Sequence, residues 1–221
     1  MKVGTYGIPF LLIGLYSFLE KKTVKDQLKN FRFVSILMLC AYILHQFEEH
    51  WIDIYGNYYA FYTFNNDFIR SALGESDMMI NPLTKESVYV INTSLVWLVG
   101  FLAIWRSPKH LFPLFAMGGI ILVNAFVHIV AGMLKWTYNP GLLTSILVFV
   151  PVYIWFAMYI HRRYPAYKKQ LIFGIIWAFL AHIIMVVGIM AANYFYLIPE
   201  LLYFIVLVLW SLLPVWVFNE K

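Results

Sequence analysis

Residues 33–53 read FVSILMLCAYILHQFEEHWID, an apolar stem from Phe33 to Leu44 that runs without a helix breaker into a cluster of ionisable groups. A single helix is the expectation. At 3.6 residues per turn, His45, Glu48, Glu49 and Asp53 then fall at i, i+3, i+4 and i+8 on one broad arc. Glu48 and Glu49 are the costly members. Each ionised carboxylate within a bilayer costs ~2.5–3.5 kcal/mol on insertion scales, so such groups face a cavity, a partner or a metal. An imidazole one turn before them supplies both partner and ligand chemistry.

Outward from this stretch, the chain is 62% hydrophobic and only 12% charged over 221 residues. A soluble domain carries about 25% charged residues, so the composition is that of an integral membrane protein. The lone cysteine, Cys40, sits within the apolar stem and has no intrachain partner. The formal charge of +5 is spread over loops, with no basic water-facing domain, which argues against a nucleic-acid partner. Lys2 precedes a short apolar stretch that ends in Leu19-Glu20-Lys21-Lys22 without a small-residue cleavage site, so it reads as a retained span rather than a signal peptide.

Seven apolar segments emerge, roughly 3–19, 32–54, 87–106, 111–135, 142–161, 171–196 and 199–218. Most approach the ~20 residues that cross a bilayer core. The expected fold is therefore all-α, a polytopic helical bundle of about seven spans in a single domain over residues 1–221. Twelve of the 16 Lys and Arg collect on alternate connections, which places the amino terminus outside and the carboxyl terminus inside. On that topology His45, Glu48, Glu49, Asp53, His128, His182 and Asn193 converge on the outer half of the membrane. The connection from Tyr55 to Glu86 is rich in aromatics. It suits either a loop at the headgroups or a lid over the site, with a helix starting at Asn81-Pro82.

His45, Glu48, Glu49 and His128 are the candidate ligands of a divalent metal, because imidazole and carboxylate suit zinc and non-haem iron alike. One of the two Glu is expected to serve as general base. His182 has three readings: a further ligand, a general base, or a buried histidine bonded to a carbonyl. Asn124 shares a face with His128 and is expected to orient a ligand or to bond between helices, where such bonds contribute ~0.6–2 kcal/mol. Tyr138, Asp53 and Asn193 are candidates for a supporting or substrate-binding role. Tyr138 is otherwise an interfacial anchor, and Asp53, like His50, can belong to a helix end emerging into water. Asn139-Pro140-Gly141 reads as a tight turn. His110 and His161 border basic loops, and Asn92-Thr93-Ser94 suits helix packing.

With these residues in view, the chain resembles the HXXEE family of bacterial membrane proteins, of uncharacterised function. Its name-giving motif is matched by His45-Gln46-Phe47-Glu48-Glu49, its second histidine by His128 after Asn124, and its Tyr-X-Pro-Gly element by Tyr138 to Gly141. The match spans about residues 33–200. The resemblance implies an all-helical membrane domain with a metal or acid/base site in a bacterial inner (plasma) membrane. A weaker similarity is to the glutamate-type intramembrane prenyl-protein proteases, whose Arg four residues after the second Glu is replaced here by Asp53. Sterol-isomerase-like proteins share residue types only.

The functional expectation is a membrane-embedded, metal-dependent enzyme, in first place a hydrolase of a lipid or lipid-linked substrate using zinc or iron. The rivals are a non-haem iron oxidoreductase, a metal-free lipid isomerase in which the two carboxylates share one proton, and a transporter or proton relay. A dinuclear iron site is disfavoured, since such sites use four carboxylates and the sequence offers three candidate acids.

Overall fold

A computed structural model describes residues 24–74 and 80–216, with residues 12, 13, 15, 16 and 19 of the first segment. The expected first span, about 3–19, falls largely outside the described residues, as do Lys2, Lys21, Lys22 and Lys221. The described chain is all-helical. After a turn at Val24–Gln27 come α1 (Phe31–His50), α2 (Ala60–Ala72), α3 (Lys85–Arg106), α4 (Phe112–Lys135), α5 (Leu142–Arg163), α6 (Pro165–Tyr194) and α7 (Glu200–Val215). Five of them, α1 and α3 to α6, are long and apolar enough to cross a membrane, and α7 is a shorter apolar helix.

Local chemistry sets most boundaries. Asn30 caps α1, its Oδ1 accepting from the Arg32 amide at 2.9 Å. Pro113 lies in the first turn of α4, where its missing N–H costs nothing. The start of α3 corrects the sequence expectation. Asn81 Oδ1 is taken by the Arg70 guanidinium at 2.9 Å, and it is Thr84 Oγ1 that accepts from the Ser87 amide at 2.9 Å. Asn81-Pro82 therefore precedes the helix by three residues. Residues 55–86 also contain α2, a helix the aromatic run did not announce.

The helices share one apolar core, with α1 and α4 at its centre. α1 is 78% buried and α4 61%, against 28% for α5 and 33% for α6, whose outer faces carry exposed Leu147, Ile154, Phe179 and Val187. Backbone contact holds α4 to α6. A Cβ placed on Gly119 would strike the Gly174 carbonyl, and one on Gly174 would strike that of Phe115. At the start of α1, Arg32 donates to the carbonyls of Ile104 at 3.2 Å and Ser107 at 2.9 Å, tying α1 to the end of α3. Both helices are thus clamped at one end. Their other ends carry the polar groups.

π-helical turns interrupt α3 at Asn92–Leu98, α5 at Ser145–Phe149 and α6 at Met190–Tyr194. Such turns re-aim side chains and concentrate at functional sites. Two of the three begin at or beside a residue used below, Asn92 and Thr144.

Candidate metal centre

The last two turns of α1 and the second half of α4 meet at a buried cluster. His45 and Glu49 are one turn apart, with Nε2 and Oε1 separated by 3.3 Å. His128 arrives from α4 and sets its Nε2 3.1 Å from the same Oε1. These three ligand atoms lie within 4.8 Å of one another, and all three residues are buried. The His45 and His128 rings meet at 4.8 Å between centroids, and His45 stacks on Phe149 of α5.

The hydrogen bonds behind the rings fix their protons. Asn139 Nδ2 donates to the His128 carbonyl at 2.9 Å, so its Oδ1 is the atom facing His128 Nδ1 at 2.7 Å. That oxygen needs a donor, and Nδ1 must carry the hydrogen. Thr144 Oγ1 donates to Glu48 Oε2 at 2.6 Å, which leaves its oxygen to accept from His45 Nδ1 at 2.8 Å. Each Nε2 then faces Glu49 Oε1, at 3.3 Å for His45 and 3.1 Å for His128. Two imidazole nitrogens and a carboxylate oxygen so placed can share a proton or hold a cation.

Glu48 has a different fate. Its Oε1 accepts from Tyr138 Oη at 2.8 Å and the Leu143 amide at 3.1 Å, and its Oε2 from the Thr144 amide at 2.8 Å and the Thr144 hydroxyl. The amides of Leu142 and Ser145 are satisfied by the carbonyls of Asn139 and Gly141 at 3.0 and 2.9 Å. Every orphan N–H in the first turn of α5 is therefore accounted for, two of them by a carboxylate from another helix. Hydrogen bonds to a charged acceptor contribute about 1.5–3 kcal/mol each, so four of them offset the several kcal/mol of burying one ion. The expected roles of Glu48, metal ligand and free base, are corrected on this ground. Both of its oxygens are committed to the start of α5.

The turn before α5 is built for the same place. Gly141 has φ +98°, and a Cβ there would sit 2.6 Å from His128 Cε1 and 2.7 Å from His45 Cε1. Only glycine both adopts that backbone and leaves room for the two rings. Tyr138 keeps its proton, since burial first and its bond to Glu48 second push its pKa upward.

Other expectations are sorted by the same geometry. Asn124 Nδ2 lies 3.1 Å from His45 Nε2 and 2.9 Å from Tyr42 Oη, so it does join the site. Asp53 does not. Its oxygens accept from the amides of Tyr55 and Asn57 at 2.9 and 2.8 Å and from the Asn57 side chain, closing the turn after α1. Asn193 is likewise elsewhere, donating to the Pro82 carbonyl at 3.0 Å and to Glu200 at 3.2 Å, where it ties α6 to α3 and α7. His182 bonds the Ala178 carbonyl through Nδ1 at 2.8 Å, the carbonyl-bonded reading. It also lines an apolar cavity of about 270 Å³ that reaches Glu49 and Asn124.

Three residues carry more than their sequence reading allowed. His50, read as emerging into water, sets Nε2 3.4 Å from Glu49 Oε2 and 3.0 Å from Asn92 Nδ2. Asn139 and Thr144 orient the two imidazoles. A polar residue in a turn and a threonine in an apolar run gave no signal of it. Above them α2 covers the pocket, with Phe61 edge-on to His50 at 5.1 Å.

Residues 36–156, more than half of the chain, match the family described as protein of unknown function with HXXEE motif. The chain belongs to that family. Comparison with curated proteins and with solved structures finds no match.

Proposed function

We propose that the chain is a membrane-embedded enzyme that holds one divalent metal, zinc or iron, on His45 Nε2, His128 Nε2 and Glu49 Oε1, and hydrolyses a lipid or lipid-linked substrate. The supporting observation is the convergence of three electron-pair donors within 4.8 Å while both histidine protons are engaged on the far side of their rings. Two imidazoles and one carboxylate with positions left open are a ligand set used by hydrolytic zinc and by non-haem iron(II). Bound there, the metal would act as a Lewis acid toward a substrate oxygen. The same ligands also suit an iron oxidoreductase.

The chain's own residues do the positioning. Asn139 and Thr144 hold the rings, and Gly141 lets them approach. Asn124 would turn its amide over on metal binding, because the Tyr42 hydroxyl can donate to Oδ1 as readily as it accepts from Nδ2. With Glu48 committed to α5, the remaining acid/base groups are His50, against Glu49 Oε2, and His182 across the cavity. The placement of Glu49 and His182 on one apolar cavity also favours a second reading, a metal-free lipid isomerase in which those two groups move the proton.

In this reading the bundle has seven spans with the amino terminus outside, lies in a bacterial inner membrane as one domain, and holds its site in the outer half of that membrane. Element analysis of detergent-purified protein tests the metal. Wild type is expected to carry one equivalent of zinc or iron, and His45→Ala and His128→Ala none. Wild-type protein that stays metal-free after gentle purification and add-back overturns the metal reading, and retained binding of an amphiphile would then favour the isomerase.

A further inference from the structure

Two cavities flank the Glu49–His50 pair, and they differ in character. The apolar one, about 270 Å³, reaches Glu49. Val127 and Val186, 46% and 53% exposed, also line it, so it opens sideways between α4 and α6 rather than toward water. The second, about 700 Å³, lies on the other side of His50 and is walled by Tyr58, Tyr59, Tyr62, Tyr89 and Trp97. Lys85 stands at it, and no carboxylate does among the described residues. Val88 and Asn92 line both spaces, so the two adjoin there.

We propose that the two cavities together form one substrate site for a single-chain amphiphile, with its hydrocarbon in the lateral cavity, its reactive bond at Glu49 beside Asn92, and a neutral or anionic hydroxyl-bearing headgroup in the aromatic pocket. This rests on the enzyme reading above and adds the substrate class. Size argues for one chain. An apolar cavity of ~150 Å³ takes a single benzene, so 270 Å³ takes one chain segment and not two full acyl chains. The lateral mouth suits a chain arriving from lipid. Charge selects the headgroup: aromatic faces pack against sugar or glycerol carbons, Asn92 and Thr93 meet hydroxyls, and Lys85 opposes a cation while attracting an anion.

Native mass spectrometry of the detergent-purified full chain tests this with four lipids of the same oleoyl chain. Monooleoylglycerol and lysophosphatidylglycerol are expected to bind one to one, and lysophosphatidylcholine and dioleoylphosphatidylglycerol more weakly. Lys85→Glu should weaken lysophosphatidylglycerol by about fivefold, the size of one exposed charge pair, and leave monooleoylglycerol unchanged. Val186→Trp, at the exposed mouth where folding is little taxed, should remove both. Equal binding of the two-chain lipid, or indifference to both substitutions, overturns the proposal. Element analysis of the same wild-type samples separates the two claims: the lipid pattern without metal leaves the substrate class standing and the metal reading fallen. Stoichiometric metal without the pattern does the reverse.

Discussion

Glu48 and Glu49 are neighbours on one helix, equally buried, and the fold uses them in opposite ways. The start of α5 and Tyr138 surround Glu48 with four donors, so its charge is neutralised by hydrogen bonds and the helix dipole. Glu49 faces imidazole nitrogens instead, with His45 and His128 on Oε1 and His50 on Oε2. One carboxylate is a completed structural joint. The other is met by three imidazoles. The comparison teaches that a pair of adjacent acids in a motif need not be a pair in chemistry: a step of one residue turns the side chain by about 100° and delivers it to a different neighbour.

The sharpest way to break this contrast is to neutralise each acid alone. Glu49→Gln is expected to abolish stoichiometric metal and leave the metal-free protein folded, because the amide keeps the side chain's size and can still hydrogen-bond an imidazole nitrogen. Glu48→Gln should do the converse. It leaves donors of α5 without their anionic acceptor, at about 1–3 kcal/mol, read as a lower unfolding temperature in detergent, with metal still bound. If Glu48→Gln loses metal at unchanged stability, the assignment of the two residues is reversed.

Gly141→Ala comes next in size. A Cβ at φ +98° strains the backbone by about 1–3 kcal/mol and pushes on both imidazoles, so stability and metal should fall together. A variant that keeps both would show that the turn relaxes without touching the rings. The smallest effect belongs to Thr144→Val, which keeps the amide bond to Glu48 but removes the acceptor of His45 Nδ1–H. Loss of such a supporting bond weakens metal binding by about 10–100-fold, measurable by competition with a chromophoric chelator, and because the variant also loses the hydroxyl bond to Glu48 Oε2 the unfolding temperature falls as well, by less than in Glu48→Gln.

Much of this was written in local sequence. The apolar stem and caps specify α1 and α4. The i to i+4 spacing brings His45 to Glu49, and the Tyr-X-Pro-Gly turn announces the start of α5. Asp53 and Asn193 were misread because spacing along a helix reports the face a residue occupies and not what approaches it. Asp53 closes its own turn, and Asn193 lies within a π-helical turn, from which it reaches Glu200.

By itself, the sequence determined that apolar helices would form, which family the motif marks, and that His45 and Glu49 would meet, since all of these follow from composition, order and the pitch of one helix. Tertiary structure alone decided that His128 closes the set, that Asn139 and Thr144 lock the rings, and that Glu48 caps a helix begun 94 residues later at Leu142. The reason is physical. Hydrogen-bond partners of a buried charge are chosen by which helix ends are packed beside it, and no local periodicity encodes that choice.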